Sequence, residues 1–261
     1  MEALTRRRRA LKEQFQNRKR IFAGWTSFAH PSITEIFSHA HLDFIGIDIE
    51  HSTISQEQSQ RIIAAAQASG SLCLPRVASH NMEMIKRLLD SGADGIIAPT
   101  VQTADDVKRL ISWIKYPPQG KRGFGVARAQ GYGFNFDTYT KSWNESSSLI
   151  CQIESMEGVE NIEKILSLKE VDGVMVGPYD LSGSLGIPGQ LEHPKVLAAA
   201  RRVISASKRL KKSCGTQIIE PDAKNVQEAF QKGFNFVILS SDVFLLWKWV
   251  DRMKGLVGKL R

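Results

Sequence analysis

The sequence predicts a single (β/α)8 TIM barrel. Three observations point there: eight short, apolar, β-branched runs, stretches of helical period between most of them, and a length of 261 residues that suits one such domain over 1–261.

Residues 1–20 form a basic amphipathic helix or arm ahead of the first strand. The strands are then expected at Ile21–Phe28, Asp43–Glu50, Ser71–Val77, Gly95–Thr100, Leu149–Glu154, Gly173–Gly177, Cys214–Ile219 and Phe236–Ser240. Between them, Ser55, Asn81 and Thr103 cap helices expected over Gln56–Ala68, Met82–Ser91 and Ala104–Ile114. Further helices are expected over Val159–Leu166, Pro194–Arg209 and Ala223–Lys232, and several helices stop at glycine (Gly70, Gly92, Gly233). The stretch Lys115–Ser148 is too irregular for one helix and is expected to be a long loop above the barrel mouth, carrying Gly-Phe-Gly-Val-Ala-Arg-Ala-Gln-Gly-Tyr-Gly from Gly123.

With 42% apolar and 24% charged residues the chain has the composition of a soluble protein. No apolar run is long enough for a membrane helix, and the Arg-rich start lacks the pattern of a secretory signal, so a cytoplasmic location is expected. Cys73, Cys151 and Cys214 lie in apolar runs without metal or redox spacing and are expected to be reduced core residues. Of the net charge of +8, residues 1–20 contribute +6, leaving +2 for the rest. The basic signal therefore belongs to one segment, for which a solvated helix face or an oligomer contact accounts as well as an anionic partner. No basic, aromatic-interleaved strand argues for nucleic acid.

A barrel of this kind builds its site at the carboxyl ends of its strands. Strand two ends in Asp48, Glu50 and His51, strand three in Arg76, strand five in Gln152 and Glu154, and strand six runs into Asp180. Carboxylates on two adjacent strands repel unless a cation lies between them, and hard oxygen donors suit Mg²⁺, Mn²⁺ or a similar ion. The alternative is that Glu154 and Asp180 pair with Arg or Lys, or cap the following helices. Arg76 has the planar fork for a substrate carboxylate, unless it serves as an internal partner of Asp48 or Glu50. His51 is the histidine that leaves a strand directly into the site, which makes it the general acid/base candidate. Asp90, at the end of a helix, is a candidate to hydrogen-bond His51. No lysine ends a strand, which disfavours Schiff-base chemistry against metal-assisted chemistry.

These motifs resemble the HpcH/HpaI family of metal-dependent class II pyruvate aldolases. The resemblance runs from about Phe22 to Trp247 and rests on Gly-Trp at Trp25, Phe-Ile-Gly-Ile-Asp-Ile-Glu-His, Pro-Arg-Val, Leu-Leu-Asp-Ser-Gly-Ala-Asp-Gly, Tyr-Pro-Pro-Gln-Gly-Lys-Arg-Gly, Gln-Ile-Glu, Val-Asp-Gly-Val-Met-Val-Gly-Pro-Tyr-Asp-Leu-Ser and His-Pro-Lys-Val. It implies a barrel of the phosphoenolpyruvate/pyruvate-domain type and cleavage of a 4-hydroxy-2-keto acid to pyruvate and an aldehyde, or the reverse addition. It implies metal ligands at Glu154 and Asp180 for Mg²⁺, Mn²⁺ or Co²⁺, a keto-acid-binding Arg76, and a His51/Asp90 pair. Trp25, Gln152, Tyr179, Asp180 and Arg128 are the further substrate-binding candidates.

The resemblance also implies a homo-oligomer, commonly a hexamer built as a trimer of dimers, with the last helix exchanged between neighbours. The apolar stretch Phe244–Val250 suits such an exchange. Two departures stand where an acceptor aldehyde would sit: Tyr179 in place of a small residue, and the Gly123–Gly133 loop. An enolate-forming decarboxylase or a citrate-synthase-like condensing enzyme on the same scaffold is the rival chemistry, and a non-catalytic keto-acid-binding barrel is the rival from another class.

Overall fold

A computed structural model describes residues 2–261. Eight parallel strands pair in chain order, and the eighth closes on the first. They are β1 Ile21–Thr26, β2 Phe44–Asp48, β3 Leu72–Arg76, β4 Gly95–Ala98, β5 Ser148–Ile153, β6 Gly173–Val176, β7 Ser213–Ile218 and β8 Phe236–Leu239. Each falls on a run expected from the sequence, with its ends shifted by a residue or two.

The helices are α1 Glu2–Gln16, α2 Pro31–Ser38, α3 Gln56–Ala68, α4 Met82–Asp90, α5 Ala104–Ile114 and α6 Phe136–Ser146. After β5 come α7 Met156–Glu160, α8 Ile162–Leu166, α9 Pro178–Ser184, α10 Pro194–Arg209, α11 Ala223–Lys232 and α12 Asp242–Leu260. Three of these, α2, α6 and α9, are not among the expected helices. The α2 start is capped by His30, whose Nδ1 accepts the Ser32 N–H at 3.3 Å, a weaker signal than the Ser, Thr, Asp or Asn that marks most helix starts. In α6 the inward stripe is Tyr139, Ser142, Trp143 and Ser146, at helical spacing but half serine, so the apolar period is blurred.

The α6 segment also corrects the place of the long connection. It joins the carboxyl end of α5 to the amino end of β5, so it lies at the bottom of the barrel and not above the mouth. Arg128 shows this directly. Its Nη1 donates to Gln67 Oε1 at 2.9 Å and to the Ser91 carbonyl at 3.0 Å, at the carboxyl ends of α3 and α4.

The basic arm closes that same end. Leu11 and Phe15 of α1 are buried in the barrel's own core with Ile21, Phe44, Leu72, Ile150 and Phe236, and Phe15 meets the Phe236 ring edge-on at 5.6 Å. Three of the neighbouring basic residues are engaged inside the chain. Arg8 Nε pairs with buried Asp94 at 2.6 Å, Lys12 Nζ pairs with Asp172 at 2.7 Å, and Arg18 Nη2 donates to the Gly233 carbonyl at 3.1 Å. Basic residues suit this position because helix carboxyl ends, with their unpaired carbonyls, gather at the bottom of the barrel. The arm is thus a plug on its inner face and solvated on its outer one, where Arg6, Arg7, Arg9, Lys19 and Arg20 are exposed.

Inside the barrel, period-two alternation decides what faces the axis. Ala23 and Trp25, Leu72 and Leu74, and Ile150 point inward, while Ile45, Ile47, Cys73, Leu149 and Cys151 pack outward against the helices. The same parity carries Asp48, Arg76, Gln152 and Glu154 to the inside at the carboxyl ends of their strands. All three cysteines are buried and unpaired. Among the described residues no helix is long and apolar enough to cross a membrane.

Candidate active site

Arg76 ends β3 and stands beside Asp48 of β2, its register partner. Its Nη2 donates to Asp48 Oδ2 at 2.8 Å and its Nε to Asp48 Oδ1 at 3.2 Å, with Glu50 Oε2 also 3.2 Å from Nε. The internal pairing weighed for Arg76 is therefore present with both acids. Below it the Trp25 indole stacks against the guanidinium at 5.1 Å. Gly46 makes room for that ring, since a Cβ there would come within 2.2 Å of it. Trp25, 3% exposed, is thereby a platform under Arg76 and not a lining residue of the open site.

Asp48 also fixes the loop after β2. It accepts the backbone N–H of Glu50 at 3.2 Å and of His51 at 3.1 Å. His51 projects into solvent at the rim with Nε2 3.6 Å from Glu50 Oε2. That carboxylate oxygen accepts no hydrogen bond.

Glu50, rather than Asp90, is thus the acid beside His51 within one chain. Asp90 closes α4 at the bottom of the barrel and pairs with Arg122 Nη2 at 2.8 Å. Arg122 in turn stacks on Trp143, the ring that Arg8 of the plug also covers. The expected His51/Asp90 pair is therefore corrected for the single chain. A residue that ends a barrel helix lies at the opposite end from a residue that ends a strand.

Glu154 follows β5 and is 7% exposed. Its Oε1 accepts the Thr100 backbone N–H at 2.5 Å and its Oε2 accepts from Gln152 Nε2. Gly177, at the end of β6, allows this: a Cβ there would lie 3.0 Å from Glu154 Oε2. Asp180 sits in the first turn of α9 and opens to solvent, as does Tyr179. The short helix α9 carries the chain past Asp180 to Ser184. Burial raises the Glu154 carboxyl, the hydrogen bonds from Gln152 and Thr100 oppose the rise, and the Asp180 carboxylate adds to it. Burial likewise raises Glu50, with Arg76 opposing and Glu154 adding.

Asp48 and Glu50 thus flank one guanidinium, Glu154 lies within electrostatic reach of it and Asp180 within reach of Glu154, and two of the four carboxyls are pushed toward the neutral form. A divalent cation fits this arrangement. Glu154 and Asp180 offer hard oxygens, and the Gln152 Oε1 is a buried acceptor without a partner. Among the described residues no group of three or more His, Cys, Asp or Glu is gathered as a closed metal cage. Two protein ligands with positions left for water and substrate are what such a site provides.

Residues 22–248 match the model of the HpcH/HpaI aldolase/citrate lyase family. The chain belongs to that family. A hydroxypyruvate/pyruvate aldolase of Roseobacter denitrificans is 34% identical over 237 residues, covering 90% of this chain and 91% of that one. A solved HpcH/HpaI aldolase/citrate lyase family protein of Burkholderia cenocepacia superposes with a TM-score of 0.89 at 28% identity, covering 95% of this chain and 98% of the other. The citrate synthase SbnG superposes with a TM-score of 0.84 at 25% identity, covering 95% and 97%.

Neither Thr100, Gly177 nor the nearness of Glu50 to His51 follows from residue type and strand period. Only Gly177, directly before Pro178-Tyr179-Asp180, leaves a mark in the sequence, as a glycine at a strand end.

Proposed function

We propose that this chain is a divalent-metal-dependent aldolase that cleaves a 4-hydroxy-2-keto acid to pyruvate and an aldehyde, or runs the reverse addition. The observation that carries the reading is the Glu154 and Asp180 pair, one buried and one open, beside the single guanidinium of Arg76. Glu154 and Asp180 would hold Mg²⁺, Mn²⁺ or Co²⁺, which supplies Lewis-acid stabilisation of the charge that develops on the keto oxygen.

This chain's own residues do the rest. Arg76 has Nε and Nη2 committed to Asp48 and Glu50, leaving Nη1 for the substrate carboxylate. Because Trp25 backs the guanidinium and Asp48 clamps it, its plane is fixed before substrate arrives. In cleavage, His51 takes the proton of the C4 hydroxyl, the C4 carbonyl forms, and the C3–C4 bond breaks. Its electron pair moves into the enolate of pyruvate, and protonation at C3 completes the product. Glu50 Oε2 lies 3.6 Å from His51 Nε2, beside the imidazole that takes this proton. Gln152 holds Glu154 and keeps its Oε1 for a bound water. Tyr179 stands at the open rim, where the aldehyde leaves.

The assembly belongs to the same reading: a homo-oligomer, a hexamer as a trimer of dimers, with α12 laid on a neighbour. Its support is the exposure of Leu245, Leu246, Trp247, Trp249, Met253 and Leu256 along α12. A cytoplasmic location accords with three unpaired cysteines.

The likeness to SbnG keeps condensation of a keto acid as the second reading. The test is a panel of aldehydes with pyruvate, in Mg²⁺, Mn²⁺ or Co²⁺ and with chelator. Metal-dependent aldehyde consumption is the expected result. Loss of oxaloacetate without aldehyde would favour decarboxylation, and turnover only with a condensing partner would favour a synthase. Turnover that survives chelation contradicts the metal reading.

A further inference from the structure

The chain leaves β4 through Pro99-Thr100-Val101, and Thr100 has φ +51°, a left-handed conformation that a β-branched residue avoids. The Thr100 side chain is exposed, so its packing does not select this backbone. Hydrogen bonds on each residue of the turn do. Val101 N–H donates to the Gln152 carbonyl at 3.3 Å, Thr100 N–H donates to Glu154 Oε1 at 2.5 Å, and the Pro99 carbonyl meets His80 Nε2 at 2.7 Å. The partner of His80 is a carbonyl, so Nε2 carries the proton and donates. His80 is itself fixed from behind, because the next residue, Asn81, caps α4 by accepting the Met84 N–H at 2.9 Å.

We propose that His80 is a positioning residue for the Glu154 carboxylate: its bond to the Pro99 carbonyl holds the turn in the conformation that aims the Thr100 N–H at Glu154 Oε1. The inference rests on the reading of Glu154 as a metal ligand and extends it one layer outward, to a loop on the far side of β4. With Oε1 engaged by Thr100 and Oε2 by Gln152, the carboxylate has one orientation before any metal arrives. Without the His80 bond the turn relaxes toward ordinary backbone, the Thr100 N–H turns away, and Glu154 loses half of its support. Outer partners of metal ligands act in this way, by orientation.

The test uses the full-length protein, stripped of metal and titrated with Mn²⁺ alone, with free Mn²⁺ read by electron paramagnetic resonance. His80→Ala is expected to weaken Mn²⁺ binding by roughly tenfold to a hundredfold, the range for lost outer-layer partners. His80→Gln, which places an amide N–H near the position of Nε2, is expected to bind within about threefold of the unmodified chain. At saturating metal, the KM for pyruvate in His80→Ala is expected to stay near that of the parent. Thermal unfolding of both variants controls for loss of fold. Equal Mn²⁺ affinity in His80→Ala and the parent overturns the inference, as does His80→Gln failing as badly as His80→Ala while folded. A parent chain that binds no Mn²⁺ overturns the metal reading of Glu154, and this inference with it.

Discussion

A Cβ at position 177 would lie 3.0 Å from Glu154 Oε2 and 3.3 Å from Gln152 Nε2. Gly177→Ala therefore pushes on Glu154, whose Cβ is also 3.0 Å away, and on its hydrogen-bond partner Gln152. We expect it to reduce metal affinity by roughly tenfold, with unfolding temperature nearly unchanged, as titration calorimetry and thermal melts would read. The charges at this site set a second expectation. A carboxyl that folding raises binds its proton more tightly in the folded chain. Its contribution to stability is complete below the ordinary carboxylate range and is lost as pH climbs through the raised value. Glu154 and Glu50 are both raised from 4.5. In the metal-free protein these two groups should therefore cost stability as pH moves from acid to neutral. Added Mg²⁺ should raise the melting temperature more at neutral than at acid pH. An equal increment at both would show that the carboxyls do not take part.

Among the elements, α1 makes the clearest demand on stability. Arg8 and Asp94 form a buried pair, each side chain 1% exposed, and Arg8→Ala leaves Asp94 without its charge partner. A loss of about 3 kcal/mol is expected from urea unfolding, with turnover per folded molecule unchanged because the plug lies at the end away from the site. Lys115, at the carboxyl end of α5, adds a pH signature. Burial and nearby Lys12 lower it from 10.5 to about 7. A cation whose folded pKa is depressed releases its proton on folding, so stability should rise as pH increases from about 7 toward 10.5. Lys115→Met should flatten that rise in urea unfolding against pH. The strands and most helices could be read from the sequence because period and caps are local signals. The plug could not: that Leu11 and Phe15 enter the barrel depends on where the closed sheet leaves room, and residues 1–20 carry no mark of it.

Across the whole molecule, the site was legible where parity decides and illegible where backbone conformation or assembly decides. Asp48, Arg76, Gln152 and Glu154 lie at strand ends in one alternating phase, so their convergence follows from the barrel. His80 and Thr100 contribute through a carbonyl and an N–H, which residue identity does not reveal. Asp90 and Arg128 were placed at the mouth, yet the helix-end position of one and the helix-to-strand connection of the other put both at the bottom. The exposed apolar face of α12 is the surface on which the proposed oligomer rests. If the proposal holds, removal of residues 243–261 should give smaller species by light scattering, whereas an unchanged mass would contradict it.

The proposed chemistry turns on support of a pyruvate enolate by Glu154, Asp180 and a divalent cation. It is tested most directly, without an acceptor, by exchange of the pyruvate methyl protons in deuterated water, followed by proton magnetic resonance. With Mg²⁺ the protein should catalyse exchange, and chelator, Glu154→Gln or Asp180→Asn should each slow it by about a hundredfold or more. Exchange that continues undiminished with chelator, or in the Glu154→Gln and Asp180→Asn proteins, would contradict this chemistry.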